Sequence, residues 1–227
     1  MFVVHENFEY FLKSYSPVFP TEKPGDSQIE RLEKILPGSL MEFIRRYGLV
    51  AFHGGLFQLC DPDEFRSVLA LIFGADSDFH HKDCHVVGYS AFGVLQCWSD
   101  KYFKFEIELP LGVAYCRALT LPGWKLAASA DHIASAVVPD REEADFLDVD
   151  GIPMFDRCVE KYGPLRQGEC FGFVPALAIS GAFGPMQRVD NIQRMPALEH
   201  FSILAQLEQF QLATLTPTEV VPVRPIG

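Results

Sequence analysis

Phe103-Lys-Phe-Glu-Ile-Glu108 puts an aromatic or aliphatic side chain at every second position and a charge at each position between. Successive side chains of an extended strand point to opposite faces, so a period of two predicts a strand with one face on a core and one toward water. The same rhythm runs from Val86 to Cys116, with Gly88, Gly93 and Ser99-Asp100 offering turns between short strands. An antiparallel meander is therefore the predicted centre of the fold.

Outward from the meander the period changes to that of a helix. Upstream, Phe8, Phe11 and Leu12 mark one helix, and Ile29, Leu32 and Ile35 mark a second that begins near Ser27 and is stopped by Pro37-Gly38. Leu40, Phe43, Ile44 and Tyr47 fall on one face of a third, with Ser39 and Glu42 at capping-box spacing and Gly48 as a left-handed stop. After a predicted strand at Leu56 to Leu59, Asp61-Pro-Asp-Glu64 has the form of a helix start, with Asp61 as N-cap ahead of Phe65, Val68, Leu69 and Ile72. Downstream, Trp124 to Val138 has a helical pattern, and Phe155, Val159 and Tyr162 predict a helix ended by Gly163-Pro164. Cys170 to Leu177 predicts a strand, and Leu198, Phe201, Leu204 and Leu207 predict a final long helix. From Thr214 the chain alternates Val and Pro, the pattern of an extended edge segment or of a disordered end.

The acidic run Asp140-Arg-Glu-Glu-Ala-Asp-Phe-Leu-Asp-Val-Asp150 divides this pattern. The expected fold is α+β: helices packed on a mostly antiparallel sheet over residues 1–139, followed by a smaller α+β module over residues 140–227, the two able to share one core. At 227 residues and 48% hydrophobic composition, such a chain buries roughly 70–75% of its extended surface.

Thirty acidic against nineteen basic side chains give a formal charge of −11. That balance repels a nucleic-acid backbone and an anionic membrane and attracts a basic protein, although solubility alone also favours acidic compositions. Met1-Phe-Val-Val-His lacks the basic flank and apolar core of a signal peptide, and no apolar run reaches the eighteen or so residues of a membrane helix, so a cytoplasmic protein without a membrane partner is expected. Cys60, Cys84, Cys97, Cys116, Cys158 and Cys170 show no C-x-x-C spacing and are expected to be reduced and buried.

The densest cluster of chemically capable side chains is His80-His-Lys-Asp-Cys-His85. Adjacent histidines seldom converge on one ion, and no second ligand pair elsewhere completes a tetrahedron, so a polar turn with a possible place in a binding surface outweighs a metal site. There is no G-x-S-x-G elbow, phosphate loop or dinucleotide fingerprint. Carboxylate pairs such as Glu142-Glu143 and Asp61-Asp63 are too common in this chain to single out an acid–base couple. No catalytic residue, metal or cofactor is expected.

Two motifs in the second half, Tyr162-Gly-Pro-Leu165 and Glu169-Cys-Phe-Gly-Phe-Val-Pro-Ala-Leu177, resemble the C-terminal module of GAD-like-domain immunity proteins, which bacteria encode beside nuclease toxins delivered by type VI secretion. In the first half, Ile35-Leu-Pro37 with Leu40, Phe43 and Tyr47-Gly48, then Gly55-Leu-Phe57, Asp61-Pro-Asp-Glu-Phe65 and Ala91-Phe-Gly93 with Leu95 and Trp98, are similar to the GAD-like domain in order and spacing. The likeness spans roughly residues 5 to 210. Ile179-Ser-Gly181 departs from it where a glycine pair is expected, and the tail after Thr214 has no counterpart.

The resemblance implies a non-enzymatic cytoplasmic immunity protein whose partner is a cognate DNase toxin, blocked at its active site or DNA groove. Physical chemistry adds a candidate surface: Glu142, Glu143, Asp145, Asp148 and Asp150, with an exposed aromatic nearby as apolar anchor, competing with phosphate for a basic groove. The same run would otherwise be a solvated linker. Inhibition from a remote face, a general interaction module, and a metal-dependent hydrolase using the His80–His85 cluster are the alternatives.

Overall fold

The computed structural model describes residues 5–121, 129–216 and 219–227. The chain enters through α1 (Glu6–Ser14), α2 (Asp26–Leu32) and α3 (Gly38–Tyr47), lays down β1 (Ala51–Phe52) and β2 (Phe57–Leu59), and crosses α4 (Arg66–Phe73). The predicted meander follows as β3 (His85–Ser90), β4 (Val94–Ser99), β5 (Phe103–Glu108) and β6 (Val113–Tyr115). Short helices α5 (Arg117–Thr120), α6 (Ala130–Ala134) and α7 (Arg141–Ala144) lead to α8 (Phe155–Tyr162). Then come β7 (Glu169–Phe173), α9 (Leu177–Ser180), β8 (Ile192–Pro196), α10 (Ala197–Leu204) and a terminal pair, β9 (Gln211–Leu215) and β10 (Val220–Pro225).

Eight strands make one sheet in the order β1-β2-β3-β4-β5-β6-β9-β10. Every joint is antiparallel except β6 with β9. The small pair β7–β8 stands apart, and the architecture is the expected α+β one. Helices cover both faces of the centre, which is why β3 is buried along its whole length. On one face Leu95, Cys97, Phe105 and Ile107 pack with Val68, Leu69 and Phe73 of α4 and Phe201 of α10. On the other, Val87 and Trp98 pack with Phe8, Phe43 and Ile44 from α1 and α3. A third cluster joins Leu56, Ala91 and Phe92 to Phe155, Phe171 and Leu177.

Several local expectations are revised. Ser39 does not cap its own helix: its amide and hydroxyl bond Asp131 Oδ1 (2.7 Å) and the Asp131 carbonyl (2.9 Å) near α6. Asp61 is not the N-cap of α4: its Oδ1 accepts from the Asp63 amide (3.0 Å) at the head of a turn, its Oδ2 takes Gln28 and Arg31 at 2.5 Å each, and the helix starts at Arg66. Phe103 departs from strand alternation, because its φ of +59° turns the ring to meet Trp98 edge-on rather than to join Phe105 and Ile107. The strand predicted to Leu177 ends at Phe173, before Pro175, whose ring nitrogen has no N–H to donate. The last helix ends at Leu204, where Gln206 and Leu207 amides turn back to the i−3 carbonyls. The Trp124 part of the predicted helix lies outside the described residues. The Val-Pro tail is the edge strand β10, with its register irregular between Pro222 and Arg224, and edges are where proline is tolerated.

The two halves of the chain meet through buried polar bonds. Gln58 Oε1 accepts from the Tyr89 hydroxyl (3.0 Å) and from the Gly168 amide (3.1 Å), while Gln58 Nε2 donates to the Glu169 carbonyl (3.0 Å). Gln167 Nε2 reaches the Leu59 carbonyl at 2.8 Å, and the Phe171 amide donates to the Ala91 carbonyl at 2.7 Å. At the chain crossing near Pro139, His53 Nε2 donates to that carbonyl (3.1 Å) and the Tyr15 hydroxyl bonds Asp140.

Gly172 is required by close approach rather than by its backbone angle, since a Cβ there would collide with the His200 imidazole. Gly172→Ala is expected to lose about 1–3 kcal/mol in urea unfolding, the usual cost of overpacking. In a His200→Ala background the same change should cost much less, so a cycle showing no coupling would contradict the packing.

Candidate functional site

The acidic run is folded against the C-terminal half. Phe146 packs between Phe92 (ring centroids 5.9 Å) and Phe173 (5.5 Å), and Ala144 is buried. Its carboxylates separate into two groups. Asp145 Oδ1 accepts from the amides of Phe146 (2.8 Å), Phe155 (2.9 Å) and Met154 (3.2 Å), organising the start of α8. Burial outweighs those donors and lifts the Asp145 carboxyl above its ordinary range. Asp148 Oδ1 accepts from the Asp150 and Ile152 amides at 2.9 Å each, and Oδ2 meets Arg157 at 2.7 Å. There burial pushes upward but the Ile152 amide and Arg157 prevail, holding the carboxyl below its usual value. These two of the five expected binding carboxylates are spent inside the turn. Glu142 and Glu143 project from α7, and Asp150 is exposed while paired with Arg188 at 2.7 Å.

Joined to the turn that carries Asp150 lies an apolar projection. Phe183 is 76% exposed and Ile179 68%, and across the loop Ile152 and Leu147 are each about half exposed. One buried side chain joins the two segments: Gln187 Oε1 accepts from the Phe183 amide (2.8 Å), its Nε2 donates to the Leu147 carbonyl (2.7 Å), and its carbonyl accepts from the Val149 amide (3.0 Å). Phe183 holds φ at +59°, a conformation costing a bulky residue on the order of 1–3 kcal/mol, which persists only where the surroundings impose it. Sequence reasoning anticipated an aromatic near the acidic run without naming it. The available signal was Gly181-Ala-Phe-Gly-Pro185, a lone aromatic bracketed by turn residues.

Elsewhere the chemistry is sparse. His80 and His81 stack at 4.7 Å, and His80 Nδ1 accepts from the Lys82 amide at 3.2 Å. A cleft of about 380 Å³ opens there with His85, Asp100 and Lys101 in its wall. No group of three His, Cys, Asp or Glu side chains among the described residues is placed to hold a metal ion. Burial and the nearby Glu106 push the Glu108 carboxyl up to about 7, a value suited to proton transfer. Its cross-strand neighbours are Val94 and Val113, and the titratable groups it interacts with are Glu106 and Tyr115. All six cysteines are free and buried, and burial lifts the Cys60 thiol well above its ordinary value, which disfavours the thiolate.

A model of the GAD-like domain matches residues 6–111, and a model of the C-terminal part of the T6SS immunity protein Tdi1 matches residues 136–208. The crystal structure of Atu4351 from Agrobacterium tumefaciens is similar over 98% of this chain and 97% of that one, with a TM-score of 0.84 and 30% identity. The chain belongs to the GAD-like immunity proteins of type VI secretion. No curated protein matches it. In this immunity protein the acidic turn and the Phe183 loop both fall within residues 136–208, the part matched by the Tdi1 model. No helix among the described residues is long and apolar enough to cross a membrane.

The division of carboxylates is measurable. Asp148→Ala leaves two amides without their acceptor and takes from Arg157 its carboxylate partner, leaving it the Pro153 and Ile152 carbonyls, and should cost about 2–3 kcal/mol in chemical unfolding. Glu142→Ala and Glu143→Ala should stay within about 0.5 kcal/mol of the parent protein.

His200 supplies a pH test. Burial holds its imidazole down at about 4, against 6.5 for the free side chain. The unfolded chain therefore binds the extra proton first on acidification, so this contribution to stability is complete above pH 6.5 and is lost as pH falls toward 4. Glu108, raised to about 7, acts with the opposite sign in part of that window, gaining stability as pH falls. Comparison with His200→Leu isolates the histidine: the stability difference between the two proteins should change by on the order of 3 kcal/mol from pH 7 to pH 4.

Proposed function

We propose that this immunity protein neutralises a cognate nuclease toxin by presenting its acidic C-terminal face to the basic groove in which the toxin holds DNA. The observation that carries the reading is the exposure of the carboxylates Glu142, Glu143 and Asp150 within the Tdi1-like residues of a chain of net charge −11. A nuclease groove is built to attract phosphate, so a carboxylate-bearing surface is drawn to it by the same field and competes with DNA for it. The protein acts by occupancy and performs no chemistry of its own. Such a role belongs in the cytoplasm of the cell that makes the toxin, where the exposed nucleic acid is.

The test pairs a pull-down against the product of the adjacent gene with a DNA-cleavage assay of that product at stoichiometric immunity protein. Tight binding with lost cleavage is expected, and tight binding with cleavage intact would overturn groove blockade. In the triple reversal Glu142→Lys, Glu143→Lys and Asp150→Lys, association should slow by about tenfold or more and become less sensitive to salt. Unchanged affinity and unchanged salt dependence would remove the acidic face from the interface.

A further inference from the structure

We infer that the cleft at the His80–His85 end of the large sheet binds a small phosphate monoester bearing hydroxyl groups, a function separate from toxin neutralisation and carried by the residues of the GAD-like match. Strand β3 begins at His85 and β4 ends at Ser99, and His85 pairs with Trp98 across the ladder, so the segments before β3 and after β4 meet at one end of the sheet. Each is a tight turn: the Asp83 amide donates to the His80 carbonyl (3.0 Å), and the Lys101 amide donates to Ser99 Oγ (3.2 Å). Lys34, just beyond α2, lines the space from a third segment. The cleft of about 380 Å³ has the volume of a small-metabolite site.

Its lining selects the ligand. Three of the chain's eight lysines, Lys34, Lys82 and Lys101, line this one cleft of an acidic protein. Among the described residues the lysines paired with a carboxylate are Lys104 and Lys161, and the three in the cleft make no such pair. His80 Nδ1 accepts from the Lys82 amide, which leaves the proton of the neutral ring on Nε2 as a further donor. Three ammonium groups and an imidazole N–H suit the near-double charge and three terminal oxygens of a phosphate monoester. Of the lining carboxylates, Asp78 is taken by Arg224 at 2.7 Å, while Asp83 and Asp100 are acceptors for hydroxyl groups. The interior also contributes: His85 lines the cleft, is only 6% exposed, and its Nδ1 has no hydrogen-bond partner among the described residues. Proteins answer nearly all buried polar atoms from within, so an unanswered ring nitrogen behind a cleft marks a place arranged for a polar guest. A nucleic-acid strand would have to run from the cleft across a protein of net charge −11, which favours a small ligand over a polymer.

Calorimetric titration of the full-length protein with ribose 5-phosphate, inorganic phosphate, ribose and adenosine monophosphate tests the site without the toxin, so its outcome is independent of the nuclease reading. Ribose 5-phosphate is expected to bind with a Kd of about 1 mM or below and at least about tenfold tighter than inorganic phosphate, with ribose alone not binding. Adenosine monophosphate binding more tightly than ribose 5-phosphate would make the guest a nucleotide, and weaker binding a sugar phosphate; both support the site. The exposed lysines can be changed without disturbing the core: Lys34→Gln, Lys82→Gln and Lys101→Gln together should weaken ribose 5-phosphate by at least about tenfold. Lys13→Gln, Lys23→Gln and Lys161→Gln together remove the same charge away from the cleft and should stay within about twofold of the parent. The His85 ring resonances should move as the ligand is added. No binding of any phosphate at about 10 mM, equal loss in both triple variants, or equal affinity for inorganic phosphate would overturn the assignment.

Discussion

The Gln58 side-chain amide determines how the two halves of this protein meet. It lies in the interior on β2, with Tyr89 on β3 beside it, and both its oxygen and its nitrogen are answered by the 168–169 backbone. A buried amide without partners costs several kcal/mol, so the loop before β7 has one placement that satisfies it. Strand β7 takes its position from that loop, and the Phe171–Ala91 backbone bond continues the registration. The Tyr162-Gly-Pro-Leu165 motif acquires a physical meaning here. The Tyr162 hydroxyl ties α8 to the Val189 carbonyl, Gly163 ends the helix at positive φ, and Leu165 reaches the backbone at Gly55.

Everything on the candidate face hangs from this junction. Asp145 and Asp148 use their charge to shape a turn, and that turn together with Gln187 holds the Phe183 loop. Carboxylates that organise backbone and carboxylates that face solvent are interleaved within eleven residues. The acidic run is therefore both a structural brace and a charged border, and substitutions within it should divide cleanly between loss of stability and loss of association.

Much of the fold was legible because strong local patterns coincide with tertiary demand: the alternation of Phe105 and Ile107 with their charged neighbours, the helical stripe of α3, and the stop at Gly48. The failures occur where a side chain answers a distant partner. Ser39 looked like a local cap, yet its donors go to Asp131. Asp61 looked like another, yet its local bond caps only the Asp63 amide of a turn, and Arg31 and Gln28 hold its other oxygen. No spacing rule sees a partner thirty or ninety residues away. The site was legible only as a region, for the same reason: Asp148 and Glu142 are both acids in one run, and burial alone separates their roles. Phe183 was hidden because an aromatic in a sequence carries no mark of which way it faces.

The parallel joint between β6 and β9 bears on how the protein comes into being. The strands that finish the large sheet, β9 and β10 within residues 211–225, leave the ribosome after the segment that carries the candidate face. Until they arrive, the β6 edge has no strand beside it and the Ala114 side of the core lacks Leu212 and Ile226, so folding is bound to long-range closure and late completion. A truncation after the Tdi1-like residues would spare every candidate contact with the toxin and still leave an open sheet. The candidate face is thus enclosed, in chain order, by the scaffold it depends on, and the large sheet closes only when β9 is in place beside β6.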